Sequence, residues 1–278
     1  MLFFSGCKIN LGLRILRKRD DGFHDIETIF YSVPWHDAIE YQPSDKTSIE
    51  ILGRTLDGAA EDNTVIKAYR LLKQKHDLPP LHFMLLKNVP SGAGLGGGSA
   101  NAAAVLKKLN EDFAFNLSEN DLTTHAATIG SDCAFFIRDK PCVATGRGEK
   151  MTSVEVELKG RWLLVIYPNV HVNTAWAYRT FSQAGKYNQS NATLTDVIHQ
   201  GVETWKQDLR NDFEDVVFAA HPQLQKIKEH LYDVGAIYAA MSGSGSALFG
   251  LFDEKPDEES IGAALGITPL NRFLTELT

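Results

Sequence analysis

Apolar and polar residues alternate through much of residues 2–52, the period of two that sends successive side chains to opposite faces of a strand. Turn chemistry interrupts the alternation at Asp20-Asp21-Gly22 and again near 43–45, so the pattern predicts strands joined by tight turns. The period then changes. NTVIKAYRLLKQKH, residues 63–76, carries apolar side chains at helical spacing behind Asn63, a suitable N-cap. LHFMLLK, residues 81–87, reads as a strand, and the alanine-rich stretch 99–110 reads as a helix. Ser118 and Asp121 carry the spacing of a capping box for a further helix that Gly130 can end. Short strands are expected near 133–137 and 142–146, and RWLLVIYP, residues 161–168, opens a second layer of structure. Residues 184–193 are the most loop-like stretch. A helix-rich region from about 194 to 234 then leads to paired strands within AAMSGSGSALFGLF, residues 239–252. Strands and helices mix without strict βαβ alternation and without an internal repeat, which predicts an α+β fold rather than a doubly wound sheet.

Between the strand at 81–87 and the following helix lies PSGAGLGGGSAN, residues 90–101. Glycines lack Cβ, so such a backbone can fold closely around an anion, with its N–H groups and those of the first helical turn aimed at the charge. A solvated hinge is the plain alternative. Gly92, Gly94 and Gly97 also match GxGxxG, with Glu111 or Asp112 downstream as a ribose ligand. That fingerprint needs a strand running directly into the first glycine and a second parallel strand after the helix. Here Asn88, Val89 and Pro90 intervene and a second helix start follows. No GxxxxGK[ST] is present, so an ordinary P-loop is excluded as well.

Three other places could carry chemistry. Lys8 and Asn10 share parity on the first alternating segment and project together, although a strand lysine is commonly a solvated edge residue. Asp132, in ATIGSDCAFF, stands directly before an apolar run, where it serves equally well as a half-buried base or as a cap. Ser242 to Ser246 form either a plain hairpin connection or the wall of a site.

Taken in order, these blocks resemble the GHMP kinase superfamily. Pro90 to Ala100 is similar to its second motif, Pro-x-Gly-x-Gly-Leu-Gly followed by small residues, and the Gly-Ser-Gly of Gly243, Ser244 and Gly245 is similar to its third. The GGG-Ser run resembles, more narrowly, members whose alcohol substrate carries a cytidine diphosphate. The resemblance implies a two-domain fold. Residues 1–152 would be a nucleotide-binding and catalytic domain like ribosomal protein S5 domain 2, and residues 153–278 a ferredoxin-like α/β sandwich contributing to the substrate site. It implies ATP-dependent phosphorylation of a hydroxyl, with Asp132 at the family's catalytic aspartate and Lys8 as the catalytic lysine beside it. ATP would lie against Pro90, Ser91, Gly92, Ala93, Gly94, Leu95, Gly96, Gly97, Gly98, Ser99, Ala100, Gly243, Ser244 and Gly245, with Asn63 and Lys87 lining the adenosine pocket. Mg2+ would bridge the phosphates, and Ser99 is its candidate hydroxyl ligand unless that residue only caps the helix. Ser99-Ala100-Asn101 departs from the family's two adjacent serines.

The same resemblance places substrate-binding residues at Asn10, Phe23, His24 and Tyr178. Phe23 stands where the family usually has tyrosine, which keeps an aromatic face for a pyrimidine and loses a phenol. Tyr178 would sandwich the cytosine with Phe23, or else pack in the core beside Trp176. Other members of the superfamily, acting on mevalonate, homoserine or a sugar, remain alternatives, as do a NAD-dependent oxidoreductase and a non-catalytic nucleotide-binding regulator.

Composition narrows the partners. A chain of 278 residues, 44% hydrophobic, can bury a substantial core. The net charge of −7 and the lack of a basic cluster beyond Arg17, Lys18 and Arg19 disfavour nucleic acid. A small molecule bearing a cytidylyl diphosphate needs only local positive charge. Cys7, Cys133 and Cys142 show no CxxC spacing, so neither a disulfide framework nor a structural zinc is indicated. With no signal peptide and no run near the roughly 20 apolar residues of a membrane span, a reducing cytoplasm is the expected compartment and no membrane partner is expected. Oligomeric state is left open.

Overall fold

The computed structural model describes residues 1–56, 58–187, 190 and 192–278. Its elements run β1 (Leu2–Lys18), β2 (His24–Pro43), β3 (Ser48–Gly53), α1 (Thr64–Lys73), β4 (Leu81–Lys87), α2 (Gly97–Asp112), α3 (Glu119–Ile129), α4 (Cys133–Arg138), β5 (Cys142–Gly146) and β6 (Lys150–Ser153). They continue with β7 (Trp162–Ile166), α5 (Thr174–Ala184), α6 (Leu194–Ile198), α7 (Val202–Asp208), α8 (Glu214–Ala220), α9 (Pro222–Asp233), β8 (Tyr238–Met241), β9 (Leu248–Phe252), α10 (Glu258–Leu265) and β10 (Arg272–Glu276). Two compact units emerge, neither of them one continuous stretch. The first comprises Met1–Lys8, Ser32–Ser91 and Gly96–Lys140; the second comprises Ile9–Tyr31, Gly92–Leu95 and Pro141–Thr278. The boundary expected between 152 and 153 falls inside the second unit.

In the first unit β3 pairs in parallel with β4, Ser48 opposite His82, and β4 pairs antiparallel with the second half of β2, Leu86 opposite Ala38. Odd-numbered residues of β2 from Val33 to Tyr41 are buried, so this half-strand turns one face to a core. Helices α1, α2, α3 and α4 pack on one another. Asn63 caps α1, its side chain accepting from the Val65 amide at 2.9 Å, and Ser118 with Asp121 closes the capping box of α3, both as the sequence predicts. Helix α2 begins two residues earlier than expected and ends two later, with Gly96 rather than Ser99 in the N-cap position.

The expected strand at 133–137 is instead helix α4. Cys133, Ala134, Phe135, Phe136 and Ile137 are all buried, and a short apolar run buried all round has no periodicity with which to distinguish helix from strand.

In the second unit the first half of β2 pairs with β5, Ile26 opposite Gly146, and β5 pairs with β6. The remaining four strands form a separate antiparallel sheet in the order β10-β7-β9-β8. Strand β7, the helices from α5 to α9, β8, β9, α10 and β10 therefore follow a β-α-β-β-α-β course, the ferredoxin-like arrangement. Leu164, Ile166, Met241, Leu248 and Phe252 from this sheet pack with Phe181, Phe213, Leu224 and Leu231 into one cluster. Helix α10 and strand β10, which complete the course, were not expected from the sequence. Of the expected loop at 184–193, residues 188, 189 and 191 lie outside the described residues. Among the described residues no helix is long and apolar enough to cross a membrane.

Asn63→Ala removes the side-chain N-cap of α1. A loss of about 1 kcal/mol in unfolding free energy is expected from urea denaturation, the usual cost of an N-cap asparagine.

Candidate active site

Strand β1 carries Lys8 into the first unit with its side chain only 4% exposed, and the Asp132 carboxylate, 33% exposed, lies 3.6 Å from its ammonium. Asp132 occupies the N-cap position of α4 but makes no capping hydrogen bond. Its carboxylate is therefore directed to the lysine rather than spent on the helix. Burial pushes the Lys8 ammonium below its ordinary 10.5, and the nearby Asp132 charge draws it part of the way back. A lysine whose folded value is lowered costs stability while it stays protonated, and that cost fades as pH rises toward the ordinary value. The pair brings a buried amine and a partly exposed carboxylate to one place.

The start of α2 lies against this pair. Gly96 adopts φ +69°, and a Cβ built on it would come within 3.2 Å of the Lys8 Cγ and of the Phe136 ring. Only glycine both takes that left-handed conformation without strain and admits the lysine stem. The Thr64 hydroxyl donates to the Gly98 carbonyl at 2.7 Å, tying the first turn of α2 to α1. Ser99 supports the site from its side, its hydroxyl meeting the Cys133 thiol and helping to counter the rise that burial imposes on that thiol.

Asp37, which the sequence reading missed, anchors the approach to the glycine segment. It is fully buried on β2 and accepts from the Asn88 and Val89 amides at 2.8 Å each, from the Asn101 side chain at 2.9 Å and from the Lys87 ammonium. Asn101 donates also to the Ser5 hydroxyl at 2.7 Å. The one signal in the sequence was a carboxylate at an inward register position, between Trp35 and Ile39. Lys87, expected to line an adenosine pocket, is buried and paired with Asp37, with its ammonium 3.1 Å from where a Gly97 Cβ would stand.

In the second unit Gly92 to Leu95 meet the turn between β8 and β9. The Ser242 hydroxyl donates to the Gly94 carbonyl at 2.9 Å and accepts from the Asn10 amide at 3.2 Å, and the Ala247 amide donates to the Ala93 carbonyl at 3.0 Å. A Cβ on Gly94, whose φ is +81°, would fall 1.9 Å from the Ser242 carbonyl oxygen. The close approach therefore excludes any side chain. The Asn10 side chain is engaged locally, donating to the Thr28 hydroxyl at 2.8 Å, and Ser244 meets the Thr174 hydroxyl at 2.8 Å.

The aromatic residues of this unit divide. Phe23, at the β1–β2 turn, is 55% exposed with the Arg147 guanidinium 4.8 Å from its ring centre. Tyr178 stacks on His24, centroids 4.8 Å apart at 19°, and meets Phe213 edge-on, while the His24 Nε2 lies 2.6 Å from the Ser182 hydroxyl. Burial, with a smaller contribution from Lys18, lowers the His24 pKa and favours the neutral ring. The stacking partner of Tyr178 in the structure is thus His24, a contact between distant segments that no local pattern announces.

Among the described residues no three His, Cys, Asp or Glu side chains are grouped to hold a metal ion. The oxygen chemistry near α2, one serine hydroxyl and one carboxylate, suits a hard cation that keeps its waters and is carried chiefly by phosphates.

The chain resembles known proteins over most of its length. Residues 63–140 match the GHMP kinases N terminal domain and residues 194–269 match GHMP kinases C terminal. The chain is 45% identical over 260 residues to a 4-diphosphocytidyl-2-C-methyl-D-erythritol kinase of Porphyromonas gingivalis, covering 92% of this chain and 93% of that relative. A protein of the same name from Bacteroides fragilis, strain ATCC 25285, is 46% identical over 263 residues, with 93% and 94% covered. A crystal structure of 4-(cytidine 5'-diphospho)-2C-methyl-D-erythritol kinase matches with a TM-score of 0.82 at 25% identity, over 99% of this chain and 98% of that one. The Methanococcus jannaschii mevalonate kinase, at 12% identity and a TM-score of 0.71 over 100% of this chain and 98% of that one, shares the fold. The architecture is accordingly the α+β, two-domain one expected from the sequence.

Asp37→Ala leaves the Lys87 ammonium buried without its carboxylate, and unfolding free energy is expected to fall by about 3 to 5 kcal/mol, the usual cost of breaking such a pair. Replacing both together, Asp37→Leu with Lys87→Met, is expected to cost less than the single change. Chemical denaturation of the three proteins checks both expectations.

Proposed function

The chain belongs to the GHMP kinase family, and from that premise we propose that it transfers the γ-phosphoryl group of ATP to the 2-hydroxyl of 4-diphosphocytidyl-2-C-methyl-D-erythritol, giving the 2-phosphate and ADP in non-mevalonate isoprenoid precursor synthesis. The observation that carries the chemical half of this reading is the 3.6 Å pairing of Lys8 with Asp132. The substrate half is supported by near full-length relatives of that name and by the exposed Phe23 ring.

Asp132 takes the proton of the attacking hydroxyl. The oxygen thus freed forms a bond to the γ-phosphorus as the bond from that phosphorus to the β,γ-bridging oxygen breaks, and ADP leaves with the electron pair. Lys8 offsets the negative charge that grows on the hydroxyl oxygen. Its burial strengthens that effect, because a charge acts further where water is excluded. Phosphoryl transfer passes through a loose transition state, so positioning and charge stabilisation supply most of the acceleration. The amides of Gly94 to Ser99, Gly243 and Ser244 are assigned to the phosphates, Gly245, whose amide donates to the Ser242 carbonyl at 3.0 Å, to the turn that presents them, and Pro90 to Ala93 and Ala100 to the walls that shape the loop. Ser99 is the hydroxyl of this chain that would hold Mg2+, which would supply positive charge to neutralise the phosphates. Asn63 and Lys87 are assigned to the adenosine side, and Asn10, Phe23, His24 and Tyr178 to the cytidylyl substrate. Stacking of a base on an aromatic ring is worth about 1 to 3 kcal/mol in nucleic-acid binders. Buried Cys7, Cys133 and Cys142 thiols fit a reducing cytoplasm.

Incubation of the purified chain with the cytidylyl alcohol and Mg-ATP is expected to yield the 2-phosphate, with a kcat/KM far above those for mevalonate, homoserine and sugars. ADP formation no greater than background, or an equal preference for another alcohol, rejects the reading. Asp132→Asn is expected to lower kcat at least about a hundredfold, the low end of general-base effects, with ATP affinity nearly intact in a direct binding titration.

A further inference from the structure

Asn211 lies outside every motif that the sequence singled out, in the turn between α7 and α8, and is buried to 2% exposure. Its side-chain amide donates to the Met241 carbonyl at 2.7 Å and to the Gly243 carbonyl at 2.8 Å, the two that bracket Ser242, while its oxygen accepts from the Phe213 amide at 3.0 Å. Both N–H groups are therefore committed to the β8–β9 turn.

The turn that carries Asn211 is itself fastened to β1. The Leu13 amide donates to the Arg210 carbonyl at 2.9 Å, the Asp212 amide donates to the Leu13 carbonyl at 2.8 Å, and the Ile15 amide donates to the Asp212 carboxylate at 2.7 Å. Asn211 thus extends from a fixed base. Its target is a conformationally permissive stretch, in which Gly243 and Gly245 adopt φ of +57° and +90°.

A trans peptide is planar, and its C=O and N–H point in opposite directions. Holding the Gly243 carbonyl on Asn211 therefore turns the Ser244 N–H away from Asn211. Holding the Met241 carbonyl orients the Ser242 N–H in the same way, and that group donates to the Ala247 carbonyl at 2.8 Å. One side chain sets the carbonyl directions on either side of Ser242, in a loop whose glycines would otherwise allow many.

We propose that Asn211 is a positioning residue that aims the Ser244 amide at the nucleotide phosphates, an inference that rests on the ATP-binding reading above. A donor held ready in place costs little reorganisation when the anion arrives. Without Asn211 the Gly243 peptide can rotate, and part of the binding energy must go to ordering it.

The test is calorimetric titration of Mg-ATP into the protein and its variants. Asn211→Ala is expected to weaken ATP binding about ten- to hundredfold, the range for a lost hydrogen bond to a charged group, and to raise KM for ATP while KM for the alcohol stays unchanged. Leu209→Ala, a cavity at a residue 2% exposed in the same segment, controls for general loosening and is expected to lower Tm while ATP affinity stays near that of the wild type. Unchanged affinity in Asn211→Ala, or equal weakening in Leu209→Ala, overturns the proposal. Should Asn211→Ala fail to fold, Asn211→Gln, which keeps the amide but displaces it by a methylene, is subject to the same criteria. The titration does not depend on the alcohol. A wild type that binds Mg-ATP but leaves the cytidylyl alcohol unchanged rejects the substrate reading while the Asn211 comparison still decides; a wild type that binds no Mg-ATP overturns both.

Discussion

A lysine almost without solvent, beside a partly exposed carboxylate, is the constraint around which the site is built. Taking an ammonium out of water costs several kcal/mol even after relaxation, and at Lys8 the Asp132 carboxylate returns only part of that cost, as the depressed lysine pKa shows. Such an arrangement is a poor device for stability. It suits chemistry, because an under-compensated cation interacts strongly with any new negative charge placed beside it, and the negative charge of a hydroxyl losing its proton is of that kind. The partial exposure of Asp132 leaves the carboxylate proposed as the base within reach of solvent while its partner stays dry.

Both glycine segments are soft by composition and are made definite by buried polar side chains. In the first unit Asp37 gathers the Asn88 and Val89 amides, Asn101 and Lys87, so the chain enters the glycine segment from a fixed point and α2 leaves it tied to the same carboxylate. In the second, Ser242 joins Asn10 to Gly94. Flexible backbone gives the close approach that an anion needs, and the anchors remove the entropy that flexibility would otherwise cost on binding.

What could be read in advance follows from the range of the interactions involved. The Asn63 cap and the Ser118–Asp121 box are local, and their consequences appear where the sequence put them. The ordering of motifs led to the family, and the ferredoxin-like course of the second unit agreed with it. Cys133 to Ile137 misled because a wholly buried run loses the periodicity that separates helix from strand. Asp37 looked like one more charged residue in a strand, since its four partners come from 50 or more positions away. The stacking of Tyr178 on His24 likewise joins segments more than 150 residues apart, as does their bridge through Ser182. Long-range satisfaction of polar and aromatic groups is a property of the folded chain, and a single sequence carries little trace of it.

The central claim is that Lys8 and Asp132 act on the transferring group as one unit. A double-mutant cycle on kcat, comparing Lys8→Met, Asp132→Asn and the two together, addresses it most directly. Groups that work as a unit are non-additive, so the double variant is predicted to be scarcely slower than the worse of the two single variants. Losses that simply multiply would mean that the two side chains contribute independently, and would contradict the account.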